Sequence, residues 1–203
     1  MPGRMRVGLL VKDEWHSRCS VVYPIPKQED ILVVCFQRHR NIPVFVVCLY
    51  IPTNDEPKPC RQAAFSELLE LTRSLELQGH VVIMGDCNGH LVPAPSEAPR
   101  GTNSNGKLLV QFLLDAGMLV TNEADSASFK PIRFMGSVGT TLDYIIVDTE
   151  LAPKCNCTVE QDLTIDSNHH FVHSVLWVPS RSTKRISHKW PSKLIPIRKK
   201  YID

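Results

Sequence analysis

The 203-residue chain has no long apolar run, no internal repeat, no low-complexity tract and no strong net charge. The first absence argues against a membrane-spanning helix, which needs roughly 20 consecutive apolar residues. The opening MPGRMRVGLLVKDEW carries two arginines but only a few apolar residues in a row. It fits neither a signal peptide nor a membrane span. A cysteine framework is lacking too. Cys19, Cys35, Cys48, Cys60, Cys87, Cys155 and Cys157 are an odd, scattered set, and no second pair answers Cys155-Asn-Cys157, whose spacing is wrong for a zinc knuckle. Cys35 and Cys48 lie in apolar runs, where a free thiol serves as a small hydrophobe. These absences point to a reduced, intracellular protein, nuclear or cytoplasmic, with no membrane partner.

What is present suits one sizeable globular domain: 43% apolar and 22% charged residues argue against disorder. The net charge of +2 hides an asymmetry. Eight of the 23 lysines and arginines, but one of the 21 acids, fall in 179–203, so the preceding body holds 15 basic against 20 acidic side chains. We read residues 1–178 as a domain and 179–203 as a basic tail or linker. Such a tail either meets a polyanion or is simply solvated.

Apolar runs bounded by turn residues predict strands at Val7–Val11, Ser20–Tyr23, Ile31–Cys35, Pro43–Tyr50, Val81–Met84, Leu119–Thr121, Ser128–Phe129, Thr141–Val147 and Phe171–Val178. Ala64, Leu68, Leu71 and Leu75 recur at helical spacing, predicting a helix over Arg61–Gln78 closed by Gly79. A second helix is expected over Lys107–Ala116, led by Asn105-Gly106, with Leu108, Leu109, Phe112 and Leu113 facing a core. Many strands with two helices suggest an α/β class of packed sheets flanked by helices.

Four places put a polar, ligand-type residue at the end of a strand: Tyr50 in LYIPTND, Asp86 and Asn88 in VVIMGDCNGH, Asp143 in TTLDYIIVD, and His169 in DSNHHFV. Each has an ordinary explanation. Tyr50 suits an amphipathic core position, Asp86 and Asn88 suit a turn, and His169 suits a surface loop. Asp143 resists one, because a carboxylate beside Leu142 and Tyr144-Ile-Ile-Val is costly unless paired or metal-bound. Strand ends converge on one rim of a sheet, so the four places have a route to a common site.

The ordered set LYIPTND, GDCNGH, Asn-Gly-led helix, LDYIIVD and SNHH resembles the endonuclease/exonuclease/phosphatase family. The likeness is greatest to the endonuclease domain of LINE-type (non-LTR) retrotransposons, and it covers the chain to about Pro179. It implies a four-layer α/β sandwich, two face-to-face mixed sheets flanked by helices, that cleaves a DNA phosphodiester with Mg²⁺ and an activated water. On that pattern Asp86 positions or deprotonates the water and Asn88 holds the water or a phosphate oxygen. Asp143 orients His169, His169 and Tyr50 donate to the phosphate, and Ser128 and Ser167 add phosphate contacts. Asp86 and the residue at Asn168 lie on the metal side. A full-length relative carries a reverse transcriptase domain as well.

Two departures bear on activity. The family's opening strand with Asn, and the Gln-Glu whose Glu ligates Mg²⁺, normally precede the strand that Val7–Val11 resembles, so the first strands of the fold are expected to be missing. The family's Ser-Asp-His reads Ser167-Asn168-His169 here. Both changes remove negative charge that a hard cation favours, so a weak or absent Mg²⁺ site is expected. Three functions stay open: an Mg²⁺-dependent endonuclease, an inactive nucleic-acid-binding remnant, and a phosphoesterase acting on a small phosphoester.

Overall fold

The structure, a computed structural model, describes residues 6–24, 30–37, 42–91, 102–122, 133–135, 138–160, 167 and 169–178. In chain order the elements are α1 (Asp13–His16), β1 (Cys19–Pro24), β2 (Ile31–Phe36), β3 (Val44–Tyr50), α2 (Lys58–Glu76), β4 (His80–Asp86) and α3 (Ser104–Ala116). They continue with β5 (Met118–Val120), β6 (Arg133–Met135), β7 (Val138–Thr140), β8 (Asp143–Asp148), β9 (Cys155–Glu160) and β10 (Phe171–Leu176). Six strands form one mixed sheet in the order β1-β2-β3-β4-β8-β5, while β9 with β10 and β6 with β7 form antiparallel pairs.

Alternation along the central strands builds two apolar layers, because successive side chains point to opposite faces. Val33, Phe45, Val47, Val81, Ile83 and Ile146 meet Phe65, Leu68 and Leu75 of α2 and Leu109, Phe112 and Leu113 of α3. On the other face Val82, Ile145 and Val147 pack with Val172 and Leu176 of β10 and Cys155 and Cys157 of β9. Burial on both faces explains why these strands read as unbroken apolar runs. The result is the expected α/β sandwich: helices α2 and α3, a six-stranded sheet, then a second sheet.

β3 and β4 are parallel, so a crossover must join them, and α2 is that crossover. It begins at Lys58 rather than Arg61. Pro59 falls in its first turn, where a missing N–H costs no intrahelical bond. α3 likewise begins early, because Asn103 caps it by accepting from the Gly106 amide at 2.7 Å.

The strand expected at Val7–Val11 does not form. Val7, Leu9 and Val11 are half-buried while Gly8 and Leu10 are exposed, and no ladder bonds this segment. Arg6–Leu9 instead line a cleft of about 680 Å³ between the two sheets, facing Val46, Met84 and Val172. Apolar alternation alone does not make a strand; a strand also needs hydrogen bonds to a neighbour, and none of the described strands pairs with this segment. The strand expected at Ser128–Phe129 lies outside the described residues, as does the basic tail. β9 was not anticipated. No helix among the described residues is long and apolar enough to cross a membrane.

All seven cysteines are free thiols. Burial pushes the Cys157 thiol up to about 11, with Cys155 adding to the rise, whereas Cys60 is exposed on the first turn of α2. Thiolate is the reactive form, so a raised pKa means less of it at pH 8. Cys60 should therefore alkylate first with iodoacetamide at pH 8, at least about tenfold faster than Cys157. Peptide mapping over time reads the order directly.

Candidate active site

Sheet register assembles the site from distant parts of the chain. Tyr50 lies opposite Asp86 in the β3–β4 pair, and Asp86 lies opposite Asp143 in the β4–β8 pair. Adjacent strands sit about 4.8 Å apart, so the three residues form a row along one rim. Residues opposite each other share a face, and this row continues the face carrying Met84 and Ile145, towards the second sheet. His169, just before β10, arrives from that side. Its Nδ1 lies 2.7 Å from Asp143 Oδ2, close enough for an N–H on Nδ1 to donate to the carboxylate. Both side chains are about three-quarters buried. Asp143 thus has the partner its position demands.

The turn after β4 is tightly specified. Gly85 has φ +142°, and a Cβ there would run into the Leu49 carbonyl on β3. Gly85→Ala combines strained backbone with a backbone collision, so it should cost at least about 2 kcal/mol. A thermal melt should show Tm lowered by roughly 5 °C or more; an unchanged Tm would mean that the strand end yields. Asn88 follows in the left-handed region at φ +46°, a conformation Asn tolerates better than most residues. Its backbone N–H donates to Asp86 Oδ1 at 2.8 Å, and its Nδ2 donates to Ile51 O at 2.8 Å. Asn88 therefore pins the Asp86 carboxylate and ties the β4 turn to the end of β3.

Cys87, between these two, is buried and its amide donates to Leu142 O. Burial, then Asp86, then Asp143, push its thiol well above the usual range. A neutral thiol under two carboxylates is a filler and not a nucleophile. Asp143 is held from behind: its carbonyl accepts from Asn122 Nδ2 at 2.8 Å, while Asn122 Oδ1 accepts from the Ile145 amide at 3.0 Å. At the other end of the row, the Arg6 guanidinium stacks 4.8 Å from the Tyr50 ring centroid. Arg6 is itself paired with Asp30 through bonds of 2.6 and 2.8 Å.

Of the residues singled out in the sequence, Tyr50, Asp86, Asn88, Asp143 and His169 come together. Ser167 is exposed beside them, its Oγ accepting from the His169 amide at 3.0 Å. Ser128 and Asn168 lie outside the described residues. Ligand atoms of Asp86, Asp143 and His169 all fall within 4.8 Å of one another. The two carboxylates suit a hard divalent cation, which takes oxygen ligands and keeps several waters, whereas the imidazole is a poor ligand for such an ion.

Sequence reasoning missed Asn122 and a group of amides behind the Asn88 turn: Asn54, Asn103 and Asn105. Asn105-Gly106 stands out only as the lead of a helix, and the one further signal is a second Asn, Asn103, in TNSNG.

This α/β sandwich with a polar rim at its strand ends is the arrangement that the resemblance to the endonuclease/exonuclease/phosphatase family implies. The family model described as "Endonuclease-reverse transcriptase" matches residues 44–173, from β3 through the first half of β10. The chain belongs to that family. No curated protein sequence matches it. Among solved structures it is similar to the 3′ phosphatase NExo from Neisseria, bound to product DNA hairpin, with a TM-score of 0.62 and 18% identity over 78% of this chain and 70% of that one. It is similar as well to the endonuclease domain of TRAS1, a telomere-specific non-LTR retrotransposon (TM-score 0.60, 18% identity, 79% and 69% covered). A third likeness is to the AP endonuclease LMAP from Leishmania major (TM-score 0.58, 14% identity, 75% and 55% covered). At these identities the likeness is one of fold.

Proposed function

We propose that this chain is a Mg²⁺-dependent endonuclease domain of retrotransposon type that nicks DNA by attack of water on a phosphodiester. The observation that carries the reading is the Asp143–His169 pair, 2.7 Å apart, sharing a rim with Asp86 within 4.8 Å. A phosphodiester resists attack because it is anionic, so a catalyst must meet the charge that grows on the phosphoryl oxygens. Asp143 holds the His169 imidazole oriented, leaving Nε2 to meet the phosphate. Tyr50 donates to the same phosphate from the far end of the row. Asp86 orients the water and takes its proton. Asn88 keeps Asp86 in place through its backbone N–H and sits beside the phosphate. Mg²⁺ held by Asp86 and its neighbours would supply Lewis-acid stabilisation of the phosphoryl oxygens.

DNA is favoured over a small phosphoester by the family and by the DNA-acting names among its structural relatives. The eight basic residues of 179–203 add a salt-sensitive hold on backbone phosphates. The test is nicking of supercoiled plasmid by the 203-residue protein with Mg²⁺ or with EDTA. Nicked circles are expected only with Mg²⁺. No Mg²⁺-dependent nicking by protein with a cooperative melt would overturn the enzyme reading, and salt-dependent DNA binding by such protein would favour the inactive remnant.

A further inference from the structure

Arg61 sits in the first turn of α2 and is only 6% exposed. It has no carboxylate partner among the described residues. Its Nε donates to Glu56 O at 3.1 Å, and a single nitrogen, NH1, donates to Asn54 Oδ1 at 2.9 Å and to Asn105 Oδ1 at 3.0 Å. A helix packed on a sheet needs no buried cation. An apolar side chain would fill the same space without the cost of desolvating a guanidinium. What the cation does instead is orient two amides that come from different loops.

Those amides reach the catalytic turn. Asn54, after β3, donates from Nδ2 to Asn88 O at 3.4 Å and accepts from the Asn105 amide at 3.3 Å. Asn105, in the first turn of α3 and fully buried, donates to Pro52 O at 2.8 Å and to Cys87 O at 3.5 Å. Asn103 completes the ring, donating to Asn88 O at 3.1 Å and accepting from the His90 amide at 3.0 Å. The fit is close: a Cβ on Gly106 would collide with the His90 carbonyl. With both amide oxygens turned towards Arg61, the Nδ2 groups must point at the carbonyls of Pro52, Cys87 and Asn88.

We infer that Arg61 is a positioning residue of the active site. Acting through Asn54 and Asn105, it fixes the Cys87–Asn88 backbone and so the Asn88 N–H that holds the Asp86 carboxylate. The inference deepens the proposed endonuclease reading and rests on it for its kinetic arm. A guanidinium is required because its rigid fork meets the Glu56 carbonyl and both amides at once; an ammonium keeps the charge but not that fork.

The test compares Arg61→Lys and Asn54→Ala in the 203-residue protein. Asn54 is exposed, so its truncation should leave the fold intact and keeps the test independent of any folding defect at buried Arg61. Two readouts are taken. Hydrogen exchange of residues 86–90 should accelerate at least tenfold in both variants while that of residues 80–84 in β4 stays within twofold. In plasmid nicking, kcat should fall roughly 10- to 100-fold, as expected for a misplaced catalytic group, with KM within about threefold. The double variant should be no slower than the worse single one, since the two residues act as one unit. Wild-type exchange at 86–90 in both variants would overturn the inference, as would a kcat that falls only with the folded fraction. If the unaltered protein fails to nick, the endonuclease reading falls, and the exchange readout still decides whether Arg61 positions the turn.

Discussion

Asp86→Ala is expected to abolish Mg²⁺-dependent nicking, with a rate loss on the order of 10³-fold or more, while leaving the protein folded. Asp86 occupies the middle of the rim, with Tyr50 on one side and Asp143 on the other. It is the carboxylate best placed to serve water, and it belongs to the group suited to a cation. Alanine removes both roles at once. The structural penalty is smaller: the Asn88 amide loses its acceptor, worth about 1 kcal/mol. Rate and stability should therefore separate. Plasmid nicking gives the first, a thermal melt the second, and fluorescence anisotropy with a labelled DNA duplex should show binding retained. A variant that keeps a tenth of the wild-type rate would remove Asp86 from the chemistry.

The second large effect concerns the pair at the end of β8. His169→Ala should lower the nicking rate by about 10²- to 10⁴-fold, the usual worth of a positioned acid or base. Asp143→Asn should lower it comparably, because the amide no longer holds the imidazole in one tautomer and orientation. The bond between them is short and partly buried, so the two residues are expected to work as a unit. Their effects should then fail to add, the double variant being no slower than the worse single one. The fold should tolerate both changes, since Asn122 bonds the Asp143 backbone and not its carboxylate. Fully additive losses would mean that Asp143 acts on something other than His169, with the cation as the obvious alternative.

The strands of the main sheet were legible because both faces are buried, which leaves unbroken apolar runs such as Ile31–Cys35 and Val81–Met84. β9 was not. Its CNCTVE alternates small polar residues with half-buried cysteines, and only its partner β10 makes it a strand. Val7–Val11 shows the converse: its apolar pattern predicts a strand, yet no ladder holds it. Apolar pattern reports burial, whereas a strand is a hydrogen-bonded relation between two segments.

The site divides along the same line. Tyr50, Asp86, Asn88, Asp143 and His169 were legible as ligand-type residues at strand ends, and their order carried the family resemblance. The sequence places Arg61 at the start of an ordinary amphipathic helix and Asn54 in a loop. Nothing in the local sequence distinguishes a buried arginine from a solvated one, because the distinction lies in what closes over it.

The sequence by itself thus determined the sandwich class, the family and the identity of the residues at the rim. These follow from local facts: apolar periodicity, turn chemistry and the order of short motifs. Only the tertiary structure decided that Tyr50, Asp86 and Asp143 stand in one row, that His169 reaches Asp143 from the second sheet, and that a buried cation with a group of asparagines sits behind the turn after β4. Those relations depend on strand register and on which loops converge. A one-residue slip in register would send the row to the other face of the sheet, so they are fixed by packing across the whole domain and not by any single stretch of chain.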